Sequence, residues 1–236
     1  MSDQLTPGVI GGMGPEATID LMYRVFNQTP ADDDGGHIRM LVDNNPKVPS
    51  RIKAIIEGTG ESPAPCMIEM AQGLVKQGAD FLVIPCNTAH YYYQDVADSV
   101  DVPVINLLDI TAQQIRSQGC ISVGVLGSTA LQITNIYGPV FESHRLRPVY
   151  PDTNYQDQLM GLIKAIKAQS VSGNDLKALD SLLRHMAEKH VDCLALVCTE
   201  LSVIKDKIKS DVPVFDAVDI LSKEIIERAK LIKPNQ

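Results

Sequence analysis

The sequence has no apolar run long enough for a membrane helix, no export signal and no paired-cysteine motif. Its apolar runs fall well short of the ~20 residues that a membrane span requires. Residues 1–7 lack the basic and apolar regions of a signal peptide. The five cysteines are irregularly spaced without a CxxC pair, which argues against a disulfide framework or a zinc site. We therefore expect a cytoplasmic protein with no bound metal.

Positive charge is also scarce in this chain. The 21 Lys and Arg residues face 29 Asp and Glu, for a net charge of −8. Nucleic acids and anionic membranes both need a basic surface, so neither is expected as a partner. The glycine-rich run at 11–14 lacks the GxGxxG spacing and the GK[ST] ending of loops that bind nucleotide phosphates.

Apolar runs alternate with segments of helical period along the chain. Strands are predicted at residues 7–11, 37–42, 81–85, 102–105, 121–126, 146–150, 193–197 and 212–215. Helices are predicted at residues 16–26, 63–77, 110–117, 155–169 and 175–189. This alternation indicates parallel sheets covered by helices on both faces.

The chain contains an internal repeat, and each copy carries a cysteine. Residues 78–88 (GADFLVIPCNT) resemble residues 190–200 (HVDCLALVCTE), and the tripeptide VPV follows each copy, at 102–104 and 212–214. A Gly-apolar-apolar-Gly run precedes each copy, at 8–11 and 124–127. The repeat predicts two pseudo-symmetric α/β domains of about 110 residues, each a mostly parallel sheet flanked by helices.

The repeat also predicts where the cysteines lie. Cys86 and Cys198 each follow an apolar run of strand length, and ligands bind outside the carboxyl ends of parallel strands. Both thiols are therefore expected at ligand-facing edges. We expect an active site in the cleft between the two domains, with the thiols facing each other.

Three motifs resemble those of the PLP-independent aspartate/glutamate racemases. They are residues 11–15 (GGMGP), 85–90 (PCNTAH) and 198–200 (CTE), which occur in the family's order, and the resemblance covers essentially the whole chain. It implies an isomerase without a cofactor, in which the two cysteines act on opposite faces of the substrate α-carbon. It further implies a homodimer whose C-terminal helix, at 218–231, packs on the first half. The domains would then be 1–105 with 218–236, and 106–217.

The residues themselves fit that chemistry. Racemisation without a cofactor needs an acid and a base of matched strength, and a cysteine pKa of about 8.5 makes both protonation states accessible near neutral pH. Thr88 and Thr199 place donors beside Cys86 and Cys198, and a helix that begins there would favour the thiolate.

An amino dicarboxylate substrate also needs groups that hold its carboxylates. Residues 44–51 (NNPKVPSR) resemble the family segment that ends in a substrate-binding arginine, here Arg51, which can grip a carboxylate through two hydrogen bonds. The resemblance suggests Lys164 as a second cation, with Lys167 nearby as an alternative. Asn87, Thr88 and Thr199 are candidates for binding the α-carboxylate. Met13 is interpreted either as the floor of the pocket or as core.

The sequence departs from the family pattern in two places. Val197 stands where a glycine usually precedes the second cysteine, and of the two-threonine loop at 127–131 only Ser128 or Thr129 is kept. Both departures lie in the half that carries Cys198, and Ser128 is retained as a binding candidate. His90 and Glu200 are interpreted either as groups that orient a neighbour or as helix caps.

Other functions of cysteine-pair folds stay open at this point. A hydantoin racemase fits less well because the Arg51 segment favours a dicarboxylate, and a one-cysteine decarboxylase does not explain two cysteines. A maleate isomerase would use one cysteine as a nucleophile. A non-catalytic amino-acid-binding protein on the same scaffold is a further alternative. Racemisation of aspartate, glutamate or both is the leading prediction.

Overall fold

The computed structural model describes residues 4–231, which form two compact units. The first unit contains the chain up to Leu107 and again from Val218 onward, and the second unit runs from Leu108 to Ala217. Strands in the described chain are β1 (Pro7–Gly11), β2 (Leu41–Asn44), β3 (Phe81–Val83), β4 (Val104–Ile105), β5 (Ser122–Leu126), β6 (Arg147–Val149), β7 (Cys193–Leu196) and β8 (Val214–Asp216). Its α-helices are α1 (Pro15–Gln28), α2 (Ala64–Lys76), α3 (Tyr93–Ala97), α4 (Leu107–Ser117), α5 (Thr129–Thr134), α6 (Tyr137–Ser143), α7 (Thr153–Lys167), α8 (Gly173–Glu188), α9 (Thr199–Val203) and α10 (Ala217–Ala229).

The two units contain parallel sheets of the same topology. The strand order is β2-β1-β3-β4 in the first sheet and β6-β5-β7-β8 in the second, and every pair of neighbours is parallel. In each sheet the first strand of the unit therefore lies between the second and the third, and the fourth strand is at the edge beside the third. This confirms the predicted fold class of two α/β domains with parallel sheets flanked by helices.

The repeat extends to the packing of single side chains. A Cβ atom built on Gly8 of β1 would lie 2.6 Å from Leu82 Cδ2, and one built on Gly124 of β5 would lie 2.6 Å from Leu194 Cδ2. At both places a leucine of the neighbouring strand fills the space above the glycine. All residues of β1 and β5 are buried, as expected for central strands of sheets covered on both faces.

The structure corrects one predicted strand. The run at 37–42 was expected to be extended throughout, but β2 begins only at Leu41. His37 instead ends a 3-10 turn at Asp34–Gly36, and its ring stacks on Phe26 with 4.6 Å between ring centroids. The stack and the turn hold this end of the run away from the sheet.

The shortest helices were not predicted. Helices α3, α5, α6 and α9 and a π-helical turn at Lys53–Glu57 span five to seven residues each. Such lengths cover less than two turns, so they show no apolar periodicity that a sequence could reveal.

Helix α10 joins the first unit by contacts with α1. Arg24 of α1 forms an ion pair with Asp219, and the Ser222 hydroxyl lies 3.1 Å from Gln28 Oε1. Leu221 and Ile225 of the same helix are fully buried. Within the described chain, no helix combines the length and the apolarity needed to cross a membrane.

Candidate active site

Both repeat cysteines lie just beyond the carboxyl end of the third strand of their unit. β3 ends at Val83, three residues before Cys86, and β7 ends at Leu196, two residues before Cys198. The two residues are 7% and 9% exposed, so each is nearly but not fully enclosed. This is the edge of a parallel sheet at which ligands bind.

A helical turn begins beside each thiol. A 3-10 turn runs over Thr88–Tyr92, and α9 begins at Thr199 with Cys198 as its N-cap residue. The first N–H groups of a helix have no partner inside it and carry partial positive charge. That partial charge favours an anionic sulfur or a carboxylate at this edge.

His90 fixes the backbone of the first cysteine. Its Nδ1 lies 2.9 Å from the Cys86 carbonyl oxygen, and its Nε2 lies 3.0 Å from the backbone nitrogen of Leu107. The Leu107 N–H can only donate, so Nε2 is the acceptor and Nδ1 carries the proton that is donated to Cys86. Burial lowers the pKa of His90 to about 4. The ring is therefore uncharged at neutral pH, and its two hydrogen bonds connect the backbone at Cys86 to the backbone at Leu107.

The second thiol has an acidic partner. Cys198 Sγ donates to Glu200 Oε2 at 2.9 Å, and Glu200 Oε1 lies 3.0 Å from Lys167 Nζ. Glu200 is only 7% exposed, so its carboxylate contacts the thiol out of bulk water. The cation at this position is Lys167 of α7, whereas Lys164, which was predicted as the second cation, is exposed and is not the partner of Glu200.

Arg51 is hydrogen-bonded to the loop that follows β1. Its two terminal nitrogens donate to the carbonyl oxygens of Pro49 and Met13, each at 3.0 Å, and more distantly to Val48. The guanidinium has five N–H donors, so these contacts leave capacity for a ligand carboxylate. Burial raises the pKa of the Tyr92 hydroxyl, and the positive charge of Arg51 opposes that rise.

The remaining predicted residues fall into two groups. In the first unit, Asn87 is buried and Thr88 half-buried beside Cys86, while Met13 is packed into the hydrophobic core. In the second unit, Thr199 is buried next to Cys198, and Ser128 is buried at the N-cap of α5, after the carboxyl end of β5. All of them follow the carboxyl end of a strand of their own sheet, and Met13 differs from the others because its side chain belongs to the hydrophobic core.

Sequence reasoning missed Gln156. This buried residue of α7 donates from Nε2 to the Gly127 carbonyl oxygen at 3.0 Å and to Thr129 Oγ1 at 3.2 Å. Its Oε1 accepts from Gln132 at 3.2 Å. Gln156 thus holds the loop that carries Ser128, and it engages the Thr129 hydroxyl. A polar residue on the buried face of the predicted helix was the one signal that could have indicated it.

None of the other three cysteines follows the end of β3 or β7. Cys193 is fully buried inside β7, and burial raises the pKa of its thiol well above the ordinary value. Cys120 is buried before β5. Cys66 is partly exposed in α2, and desolvation raises the pKa of its thiol as well. Over residues 4–231, no group of three His, Cys, Asp or Glu residues could hold a metal ion.

Known proteins resemble this chain over nearly its full length. A family model described as Asp/Glu/Hydantoin racemase matches residues 10–225. The broad specificity amino-acid racemase RacX of Bacillus subtilis is 28% identical over 223 residues, which are 93% of this chain and 96% of that protein. The solved structure of Picrophilus torridus aspartate racemase superposes with a TM-score of 0.84 at 28% identity, covering 95% of this chain and 94% of that one.

A more distant structure shares the fold. Glutamate racemase from Francisella tularensis, solved in complex with D-glutamate, has a TM-score of 0.69 at 20% identity and covers 99% of this chain and 87% of that one. The family match spans both units and includes both strand-end cysteines. The chain therefore belongs to the Asp/Glu/hydantoin racemase family, whose members are isomerases.

Proposed function

We propose that this protein racemises aspartate, glutamate or both without a cofactor, and that Cys86 and Cys198 are its acid and base. The observation that carries the proposal is the duplication. In a chain of the racemase family, two thiols occupy equivalent strand ends of two sheets with the same topology. Racemisation is a reaction that needs two equivalent proton-transfer groups, one for each face of the α-carbon.

The proposed reaction starts with one thiolate and one thiol. The thiolate removes the α-proton, and the thiol delivers a proton to the opposite face. At the end the two sulfurs have exchanged protonation states, so the enzyme is ready for the reverse direction. By resemblance, Cys198 takes the proton from the L-isomer and Cys86 from the D-isomer.

The surrounding residues have distinct proposed roles. We infer that Glu200 is a positioning residue, because it accepts the hydrogen bond of the Cys198 thiol and so fixes its rotamer. Lys167 contacts the other oxygen of that carboxylate and places a positive charge beside it. Arg51 binds a substrate carboxylate with the donors that its backbone contacts leave over, and Asn87, Thr88, Ser128 and Thr199 offer further donors.

Single Cys→Ser variants test the pair. Each variant should lose turnover in both directions by several orders of magnitude, because a serine hydroxyl is too weak an acid to supply the base. In deuterated water, Cys86→Ser should still exchange the α-proton of the L-isomer with retention, and Cys198→Ser that of the D-isomer, as measured by NMR. Cys120→Ser is the matched control and should keep full activity.

Three results would contradict the proposal in different ways. Equal exchange of both enantiomers by each variant would show that the thiols are not stereospecific partners. Reversed preferences would overturn only the assignment of faces. Activity that disappears after removal of PLP or treatment with a chelator would exclude the cofactor-independent mechanism.

A broader substrate range is the second candidate. It is favoured by the similarity to a relative named a broad specificity amino-acid racemase and by Val197, which replaces the glycine of the family pattern. Comparing kcat/KM for aspartate, glutamate and a panel of neutral amino acids decides between the two.

We also propose a homodimer, which light scattering after size-exclusion chromatography would test.

A further inference from the structure

The second unit has a cavity that lies away from the cysteine. It opens between α8 and the segment at 209–212 and has a volume of about 210 Å³. This is the volume of about seven water molecules at ~30 Å³ each, which is room for one small amino acid. We propose that this cavity binds a free aliphatic amino acid in its zwitterionic form.

The floor of the cavity is apolar. Leu183, Val191 and Leu194 line it, and each is at least nine-tenths buried. Leu194 is packed over Gly124 of β5, so the floor is closed from below by the sheet. An aliphatic side chain would gain from burial here, whereas a carboxylate side chain would lose its hydration without a partner.

The rim of the cavity carries charges of both signs. Asp180 and Arg184 lie one helical turn apart on α8, and Lys209 and Asp211 lie on the facing segment. All four are exposed, and none forms a side-chain hydrogen bond or an ion pair within residues 4–231. A ligand with a carboxylate and an ammonium group side by side would satisfy both signs at once, with its carboxylate on Arg184 or Lys209.

The cavity is distinct from the proposed reaction site. Leu194 lies near the start of β7, and Cys198 lies just past its end. Four residues of extended chain separate their Cα atoms by about 13 Å. A ligand in the cavity therefore leaves the thiol and Glu200 untouched, and the proposal does not depend on the racemase mechanism.

Calorimetric titration with L-leucine tests the site. Aspartate is present throughout at saturating concentration, so that leucine is not bound at the proposed reaction site. We expect one leucine per chain. 4-Methylpentanoate lacks the ammonium group and 3-methylbutylamine lacks the carboxylate, and both should bind at least about tenfold more weakly, because each loses one set of charge-assisted hydrogen bonds. Equal binding of either analogue, or no binding of leucine at millimolar concentration, would overturn the proposal.

Variants locate the binding. Arg184→Gln and Lys209→Gln should each weaken leucine binding about tenfold or more, and Ala187→Leu should block it by filling the cavity from the surface of α8. Lys177→Gln, an exposed change on the same helix outside the cavity, is the matched control and should bind as the original protein does. Racemase activity should be unchanged in all four variants. Leucine binding that survives the three cavity variants would show that it occurs elsewhere.

Discussion

At the scale of single residues, the contact between Cys198 and Glu200 makes the sharpest prediction. Glu200→Gln keeps the size of the side chain but removes the charged acceptor that lies 2.9 Å from the thiol. A charge-assisted hydrogen bond contributes about 1.5–3 kcal/mol, so we expect kcat to fall about 10- to 100-fold with little change in KM. The pH–rate profile for the L-isomer should also move to lower pH, because loss of a neighbouring negative charge favours the thiolate.

Two lysine variants complete that test. Lys167→Gln removes the cation next to Glu200, and because this lysine is half-exposed we expect only a few-fold loss of kcat/KM. Lys164→Gln is its matched control, one helical turn away, and should be within about twofold of the original. A larger loss of kcat/KM in Lys164→Gln than in Lys167→Gln would show that Lys164, the cation predicted from the sequence, is the correct one. An unshifted pH–rate profile in Glu200→Gln would show that Glu200 only packs against the thiol.

His90 predicts how the fold depends on pH. Its pKa of about 4 in the folded protein lies below the ordinary 6.5, so the unfolded chain takes up the proton first as the pH falls. The stability linked to the neutral ring is fully present above about pH 6.5 and is lost between pH 6.5 and 4, by up to about 3 kcal/mol. Urea unfolding of His90→Gln should show a weaker decline over that range. His190→Asn, a change at an exposed histidine, should leave the slope as it was.

The sequence predicted the two cysteines but could not predict their partners. Their position at strand ends follows from the apolar runs before them, which is information local in the chain. The choice between Lys164 and Lys167 depends on how α7 packs against α9, because residues three apart lie on the same side of a helix. The interaction of Gln156 with the β5–α5 loop is likewise a contact across the fold.

At the scale of elements, Gln156 predicts the cost of releasing that loop. Gln156→Leu removes the donor to the buried Gly127 carbonyl oxygen and the partner of Thr129. An unsatisfied buried acceptor costs about 1–3 kcal/mol, so the free energy of unfolding should fall by that amount. Gln132→Leu removes only the contact between the two amides and should cost less than about 1 kcal/mol. Equal losses in the two variants would contradict the assignment.

Most strands and long helices could be predicted because their periodicity extends over enough residues. β1 was predicted with its observed ends, and every other strand except β2 lies within two residues of both its predicted start and its predicted end. The strand predicted at 37–42 was wrong in its first four residues, because a ring stack between His37 and Phe26 competes with strand pairing there. No pattern in the sequence indicates that stack. Helix α4 begins three residues before its predicted start, directly after β4 and a single connecting residue.

At the scale of the whole molecule, the position of α10 predicts that the stability of the first unit depends on the C-terminal segment and that the stability of the second unit does not. A chain that ends after Ala217 loses the buried side chains of Leu221 and Ile225 and the ion pair between Arg24 and Asp219. Each buried aliphatic side chain contributes about 1.5–3 kcal/mol. Hydrogen exchange should then become fast in β1 and α1 and stay slow in β5 and β7.

A chain that ends after Leu231, which keeps α10, is the control for that truncation. It should retain slow exchange in both sheets. Equal loss of protection in the two sheets of the shorter chain would show that the units do not respond separately.

The return of the chain to the first unit has a consequence for synthesis on the ribosome. The 110 residues of the second unit, Leu108 to Ala217, are made without interruption, whereas α10 of the first unit is made only afterwards. At about 5–20 residues per second, the growing first unit must wait about 5–20 seconds for its missing helix. The part of the protein that is made first is thus the part that is finished last, and during this interval its uncovered apolar face is open to chaperones.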